Sequence, residues 1–414
     1  MPSYEILTLL ICLAAIFSYI NYKFIKWTPT IGIMALSLLT SLLLILAASL
    51  FSGFFAPLTT AIISINFHSF LMNGMLGFLL FAGSIQIDSK NLRKERLPII
   101  TLATVGILIS TFLVGTLLHF IFIAFHLQIS YIHCLLFAAL ISPTDPIAVL
   151  AILKRSGIGK SLELKIAGES LFNDGVAVVV FLTILEIAQT GIDKLSATDI
   201  SIMFIREAGG GVLFGLLLGF VGNYLIRTVS KYDVVVLITI AMVMGGYMLA
   251  NKLHTSGPLA MVIAGIVMGT KKEKYATAHP SKEDLHNFWE LIEHILNAIL
   301  FMLIGFEMLV INADKTTLLI GIITILVVLL SRWVSVALPM LLLRHKMNFE
   351  KNAIAILTWG GLRGGLSVAL ALSLPTEMHR DLFVSITYSV VIFSILIQGL
   401  TVGKLYKKLS GTKS

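Results

Sequence analysis

The feature that most constrains this chain is a succession of about thirteen apolar runs, most of them about twenty residues long or longer, joined by short polar connections. An α-helix needs about twenty apolar residues to cross the ~30 Å hydrocarbon core of a bilayer. The runs fall near 4–22, 29–53, 67–87, 97–125, 131–153, 162–189, 202–226, 233–250, 257–270, 286–311, 314–343, 351–374 and 380–403. In lipid no water is present to bond the backbone, so each run must satisfy its own N–H and C=O groups as helix. The fold class is therefore an all-α membrane protein of about 13 transmembrane helices. Composition agrees: 57% of 414 residues are hydrophobic and 13% charged, where a soluble domain has about half and about a quarter. The formal charge of +8 does not read as a nucleic-acid partner, because Lys and Arg sit in short loops and form no basic stripe interleaved with aromatics. Cys12 and Cys134 lie inside apolar runs and set no disulfide or metal-ligand spacing. The first run lacks a preceding basic segment and a following cleavage pattern, so it reads as a retained span.

Orientation follows from the loops. Thirteen spans put the termini on opposite sides. With the N-terminus outside and the C-terminus in the cytoplasm, 23 of the 30 basic residues fall in inside loops and the tail. They include Lys23, Lys26, Lys90, Arg93, Lys154, Arg155, Lys160, Lys271, Lys272, Lys274, Lys282, Arg344, Lys346, Lys351 and Lys413. The positive-inside rule favours that orientation and an odd number of spans.

Charges at membrane depth cost about 2.5–3.5 kcal/mol each on insertion scales and mark function by default. The fifth span carries Ser142-Pro143-Thr144-Asp145-Pro146. Two prolines in four residues remove donors and disfavour helix before them, so the span should break near its middle. Half-helix ends and freed carbonyls then face a cavity able to hold a small ion; the plainer reading is a kink with Asp145 capping the second half. The sixth span carries Gly168-Glu169-Ser170-Leu171-Phe172-Asn173-Asp174-Gly175. Ser170 and Asp174 are four apart and share a face, with Glu169 and Asn173 on the adjacent stripe. A carboxylate with a hydroxyl one turn away offers oxygen ligands to a small hard cation, and the same carboxylate can take a proton instead.

The twelfth span reads Trp359-Gly360-Gly361-Leu362-Arg363-Gly364-Gly365. Four glycines in six residues weaken a helix by roughly 1 kcal/mol each, so a second break is expected; close packing through small residues explains the glycines but not Arg363. A buried arginine needs a carboxylate partner, and Glu169 is the choice. Breaks in spans five and twelve lie seven spans apart, which sets the two segments in opposite orientations. Spans 4–6 and 11–13 then read as inverted repeats whose two discontinuous helices cross near the midplane. Glu307 reads as interfacial or cavity-lining, Glu186 as interfacial, and Arg332 has no partner nameable from sequence. His286, Glu290 and His294 share a face that reads as a pH sensor or, more simply, as a solvated helix start.

Thr144-Asp145-Pro146, Asn173-Asp174 preceded by Glu169-Ser170, and Gly360-Gly361-Leu362-Arg363-Gly364 together resemble the monovalent cation:proton antiporter family, in its electroneutral NhaP and NHE branch. The resemblance runs over nearly all of the chain. It implies an NhaA-like fold and a homodimer in membrane lipid with no soluble partner. It implies an ion-binding core, roughly 67–189 and 286–403, and a dimerisation part, roughly 1–53 and 202–270. It implies that Asp174 binds either cation or proton, that Asp145, Thr144 and Ser170 help coordinate Na+, that Asn173 shapes the site, and that Glu169 and Arg363 form a structural ion pair. Some members carry a Glu in the third span, where this chain has Ala82. A bacterial inner membrane and a part in pH homeostasis are expected.

The expected activity is thus electroneutral exchange of Na+ (or Li+) for H+ by alternating access, without enzymatic chemistry or a cofactor. A K+/H+ antiporter on the same scaffold is the alternative. A cation channel lacks a filter segment here. A membrane hydrolase lacks a Ser/His pair or a metal motif within a span.

Overall fold

The computed structural model describes residues 3–50, 67–87, 89–191, 194–269, 281–309, 314–343, 350 and 352–410. Several expectations fall outside those residues: the span margins at 51–53, 270 and 310–311, and the basic residues Lys271, Lys272, Lys274, Arg344, Lys346, Lys351 and Lys413.

The described chain is almost wholly helical. Ten helices are long and apolar enough to cross a membrane. They are α1 (Ser3–Ile20), α2 (Pro29–Leu50), α3 (Phe67–Ile85), α4 (Arg96–Ala124), α7 (Lys160–Thr190), α8 (Ala197–Thr228), α9 (Tyr232–Lys252), α11 (Ser281–Phe306), α12 (Lys315–Leu342) and α15 (Arg380–Ser410). The other three expected segments are shorter or divided. One is α10 (Gly257–Gly269). The fifth divides into α5 (Tyr131–Ile141) and α6 (Ile147–Arg155), and the twelfth into α13 (Ala353–Trp359) and α14 (Gly365–Leu372).

Both breaks fall where proline and glycine chemistry put them. Between them runs one antiparallel bridge, in which the Asp145 N–H donates to the Leu362 carbonyl at 2.7 Å. The two interrupted helices therefore cross at their breaks and share a backbone hydrogen bond there.

Helix packing groups around this crossing. α4, α5 and α7 lie together, α12 packs on α4, α13 and α15, and α15 also holds α6 and α14. A second group joins α10 to α3, α8 and α9, and α11 to α2 and α3. Small residues set the closest approach in that group. A methyl added at Gly215 of α8 would meet the Ala260 carbonyl oxygen of α10 at 2.5 Å, and one at Gly219 would meet Val267 Cβ at 2.7 Å. Such small-residue stripes are how helices associate where lipid removes a hydrophobic drive between them. The opposite face of α8 carries Leu213, Leu217, Phe220 and Tyr224, each more than half exposed, as expected for a surface that lipid solvates.

Candidate functional site

The site is assembled at the crossing. Pro146 has no N–H, so the Ser142 carbonyl four residues earlier loses its helical donor. The Pro143 carbonyl loses its own because the Ile147 N–H turns to Asp145 Oδ1 at 2.9 Å. Arg363 supplies both replacements: its Nη1 donates to the Ser142 carbonyl and, at 2.8 Å, to the Pro143 carbonyl. On the other interrupted helix, Arg332 of α12 donates to the Leu357 carbonyl through Nε at 3.3 Å and Nη2 at 3.2 Å. Each half-helix that ends at the crossing thus meets an arginine, the charge that suits a helix C-terminus.

One expectation is corrected here. Glu169 does not ion-pair with Arg363. It binds Arg332 bidentately, Nη1 to Oε1 at 2.5 Å and Nη2 to Oε2 at 3.0 Å, with Glu169 2% and Arg332 6% exposed. The freed carbonyls take Nη1 of Arg363, whose Nε and Nη2 have no partner among the described residues. Its position is fixed from behind as well. The Arg363 N–H donates to Ser394 Oγ at 2.9 Å, Ser394 donates to Gln398 Oε1 at 2.8 Å, and Gln398 Nε2 donates to the Trp359 carbonyl at 3.0 Å. A π-helical turn at Phe393–Gln398 in α15 carries both polar side chains.

The remaining expected residues are brought together. Ser170 Oγ donates to the Thr144 carbonyl. Asn173 Nδ2 donates to Thr144 Oγ1 at 2.8 Å, and Asn173 Oδ1 accepts from the Thr144 N–H at 3.5 Å. Asn173 therefore clamps the unwound strand onto α7. Asp145 accepts from the Ile147 N–H at the start of α6 and lines a cavity. A methyl at Gly364 would collide with Asp145 Oδ2, so this glycine is needed for the close approach of the two breaks.

Of the three acids at the crossing, Asp174 alone has neither a hydrogen bond nor an ion pair among the described residues, while Asp145 and Glu169 are both engaged. Asp174 is half-buried and faces the same cavity as Asp145. That cavity has a volume of about 1490 Å³ and runs from the two aspartates to helix ends bearing Lys23, Lys26, Lys154 and Lys160. Thr144 and Ser170 line it too. The arrangement offers two carboxylates, a carbonyl and hydroxyls to a small cation in the cavity.

Other candidates separate out. Glu290 and His294 approach to 3.8 Å with side chains 57% and 71% exposed, as a solvated helix start would have them. Glu307 falls in a 3₁₀ turn at the end of α11 and makes no ion pair among the described residues. Sequence reasoning missed the Arg332 role, the Ser394–Gln398 support, and the Gln86–Glu293 contact across the cavity wall, at 2.6 Å. The i, i+4 spacing of Glu293 and Asn297 on one face of α11 was the available signal for the last.

Two crossed broken helices with acids at their crossing and a cavity open to them follow the plan of a membrane carrier. Residues 6–408 match the family described as sodium/hydrogen exchanger, transmembrane, and the chain belongs to that family. It is 45% identical, over 98% of its length and 96% of the relative's, to the Na+/H+ antiporter NhaP of Pseudomonas aeruginosa. It is 35% identical to the Na+/H+ antiporter NhaH of Halobacillus dabanensis, over 83% of this chain and 84% of that one. Its fold is similar to that of the sodium proton antiporter MjNhaP1 from Methanocaldococcus jannaschii, with a TM-score of 0.75 at 20% identity over 98% of both chains.

Proposed function

We propose that this chain is a secondary antiporter that exchanges Na+ (or Li+) for H+, one for one, by alternating access, with Asp174 binding either the cation or the proton. The observation that carries the reading is the state of Asp174: the one acid of the crossing without a partner among the described residues, held against the cavity that Asp145 also lines. Asp145, the Thr144 carbonyl or hydroxyl, and Ser170 supply further oxygens, and Asn173 holds Thr144 in register. Ionised, the three acids and two arginines of the site leave one formal negative charge. One monovalent cation or one proton neutralises it, and a neutral site crosses the membrane interior at far lower cost than a charged one. The membrane potential then has no net charge to act on.

The moving core in this reading is 96–190 and 315–410, around the crossing. It differs from the division expected from the resemblance by assigning α3 and α11 to the scaffold. Support for that comes from packing, since α3 lies against α10 and α11, and α11 against α2. All thirteen segments span, the N-terminus is outside, and the cavity opens to the cytoplasm through its lysine-bearing end. The protein works as a homodimer in a bacterial inner membrane and serves pH homeostasis.

The test is reconstitution. In proteoliposomes carrying an internal pH dye, Na+ addition should move protons in the wild type, and Asp174→Asn should abolish the movement. Proton movement kept by Asp174→Asn refutes the reading. Repeating the assay with Li+, K+ and Rb+ separates Na+ from K+ exchange.

A further inference from the structure

The exchange reading leaves one polar cluster on the cavity unused. It lies on the scaffold wall, where α11 faces α3. Glu293 and Asn297 are one helical turn apart and share a face of α11, and both line the cavity that reaches Asp145 and Asp174. Glu293 Oε2 accepts from Gln86 Nε2 at 2.6 Å, and that same nitrogen donates to the Ala82 carbonyl at 2.9 Å, so the carboxylate is tethered to α3. Asn297 is 3% exposed, and neither its amide oxygen nor its amide nitrogen has a partner among the described residues. A buried amide left without partners is expensive to keep. A cation that sheds water to enter the wall would give the amide oxygen the missing partner. Glu293 lines the same cavity as Asp145 at the crossing and Lys154 at the lysine-bearing mouth. A tethered carboxylate beside an unpartnered amide presents hard oxygen ligands to an alkali cation.

We propose that Glu293, Gln86 and Asn297 form a second, weaker alkali-cation site on the static wall of the cavity, which loads the cation that Asp174 then takes. The proposal rests on the exchange reading for its role in transport, but not for the existence of the site. One charge facing a water-filled cavity changes local cation occupancy by about fivefold.

The experiment has two arms on the full-length protein. In proteoliposomes, Glu293→Gln should raise the apparent KM for Na+ about fivefold and affect Vmax less. Adding Asn297→Asp, which returns a carboxylate one turn away, should bring KM back, a rescue that a purely structural role for Glu293 does not give. An unchanged KM in Glu293→Gln, or no rescue, overturns the proposal. If Glu293→Gln does not fold, Asn297→Asp alone should lower KM, and failure to do so overturns it equally. In the second arm, purified Asp174→Asn protein should retain weak 22Na+ binding that Glu293→Gln removes. Absence of residual binding, or its persistence in the double variant, overturns the site. Because this arm needs no transport, failure of the exchange reading leaves it decisive.

Discussion

Removing either partner of the Glu169–Arg332 pair should cost the fold more than removing any other single side chain of the crossing. Glu169 and Arg332 are 2% and 6% exposed and joined by two charge-assisted bonds at 2.5 and 3.0 Å. Glu169→Gln leaves the guanidinium of Arg332 buried with a neutral neighbour. Breaking one side of a buried pair costs about 3–5 kcal/mol, because an uncompensated charge stays behind. For a chain of this size that is on the order of 5 °C in melting temperature. Arg332→Met should cost a similar amount and also strip the Leu357 carbonyl of its donor. The double variant Glu169→Gln/Arg332→Met removes both charges together, so it should lose markedly less than the sum of the singles, with a coupling of about 2 kcal/mol or more. The same cycle between Glu169 and Arg363 should give under half that coupling, since Arg363 spends its bonds on the Ser142 and Pro143 carbonyls. Thermal unfolding in detergent, followed by intrinsic tryptophan fluorescence, measures all six proteins. A larger coupling to Arg363 than to Arg332 refutes the pairing.

Three further outcomes follow from the same geometry. Gly364→Ala should strike Asp145 and Gly361→Ala should strike Arg332 Nε, 2.5 Å from the added methyl, each costing about 1–3 kcal/mol; Gly74→Ala, with nothing within 4 Å, should melt like the wild type. Asn173→Ala should leave the Thr144 hydroxyl without its 2.8 Å partner and raise the apparent KM for Na+ about tenfold, read as initial exchange rates against Na+ concentration. Since proton and cation exclude each other at Asp174, acidifying by one unit where the site is mostly protonated should raise that KM about tenfold at constant Vmax; a falling Vmax at constant KM contradicts competition.

The breaks were legible because they follow from backbone chemistry. Pro143, Pro146 and the glycines around Leu362 forbid continuous helix whatever surrounds them, and Ser170, Asn173 and Asp174 share helix stripes by spacing alone. The pairing of Glu169 was not legible. Two arginines lie at membrane depth, and the choice between them depends on α12 lying against α13 and presenting its guanidinium to α7. Nor could sequence show that Arg363 is drawn off by carbonyls that the prolines had freed. Which helices α3 and α11 pack against was not legible for another reason. Lipid and protein both select apolar side chains, so an all-apolar helix does not announce which neighbour it packs on. Nothing in the sequence sets Asn297 apart; its buried amide, without a partner among the described residues, shows only in the structure.

The central claim is that one carboxylate holds either a sodium ion or a proton. Titrating purified protein with Na+ by calorimetry, in buffers of different ionisation enthalpy, counts the protons released. Subtracting the Asp174→Asn titration isolates the site. The account predicts one proton released for each Na+ bound there, and sodium binding at Asp174 with no proton release would contradict it.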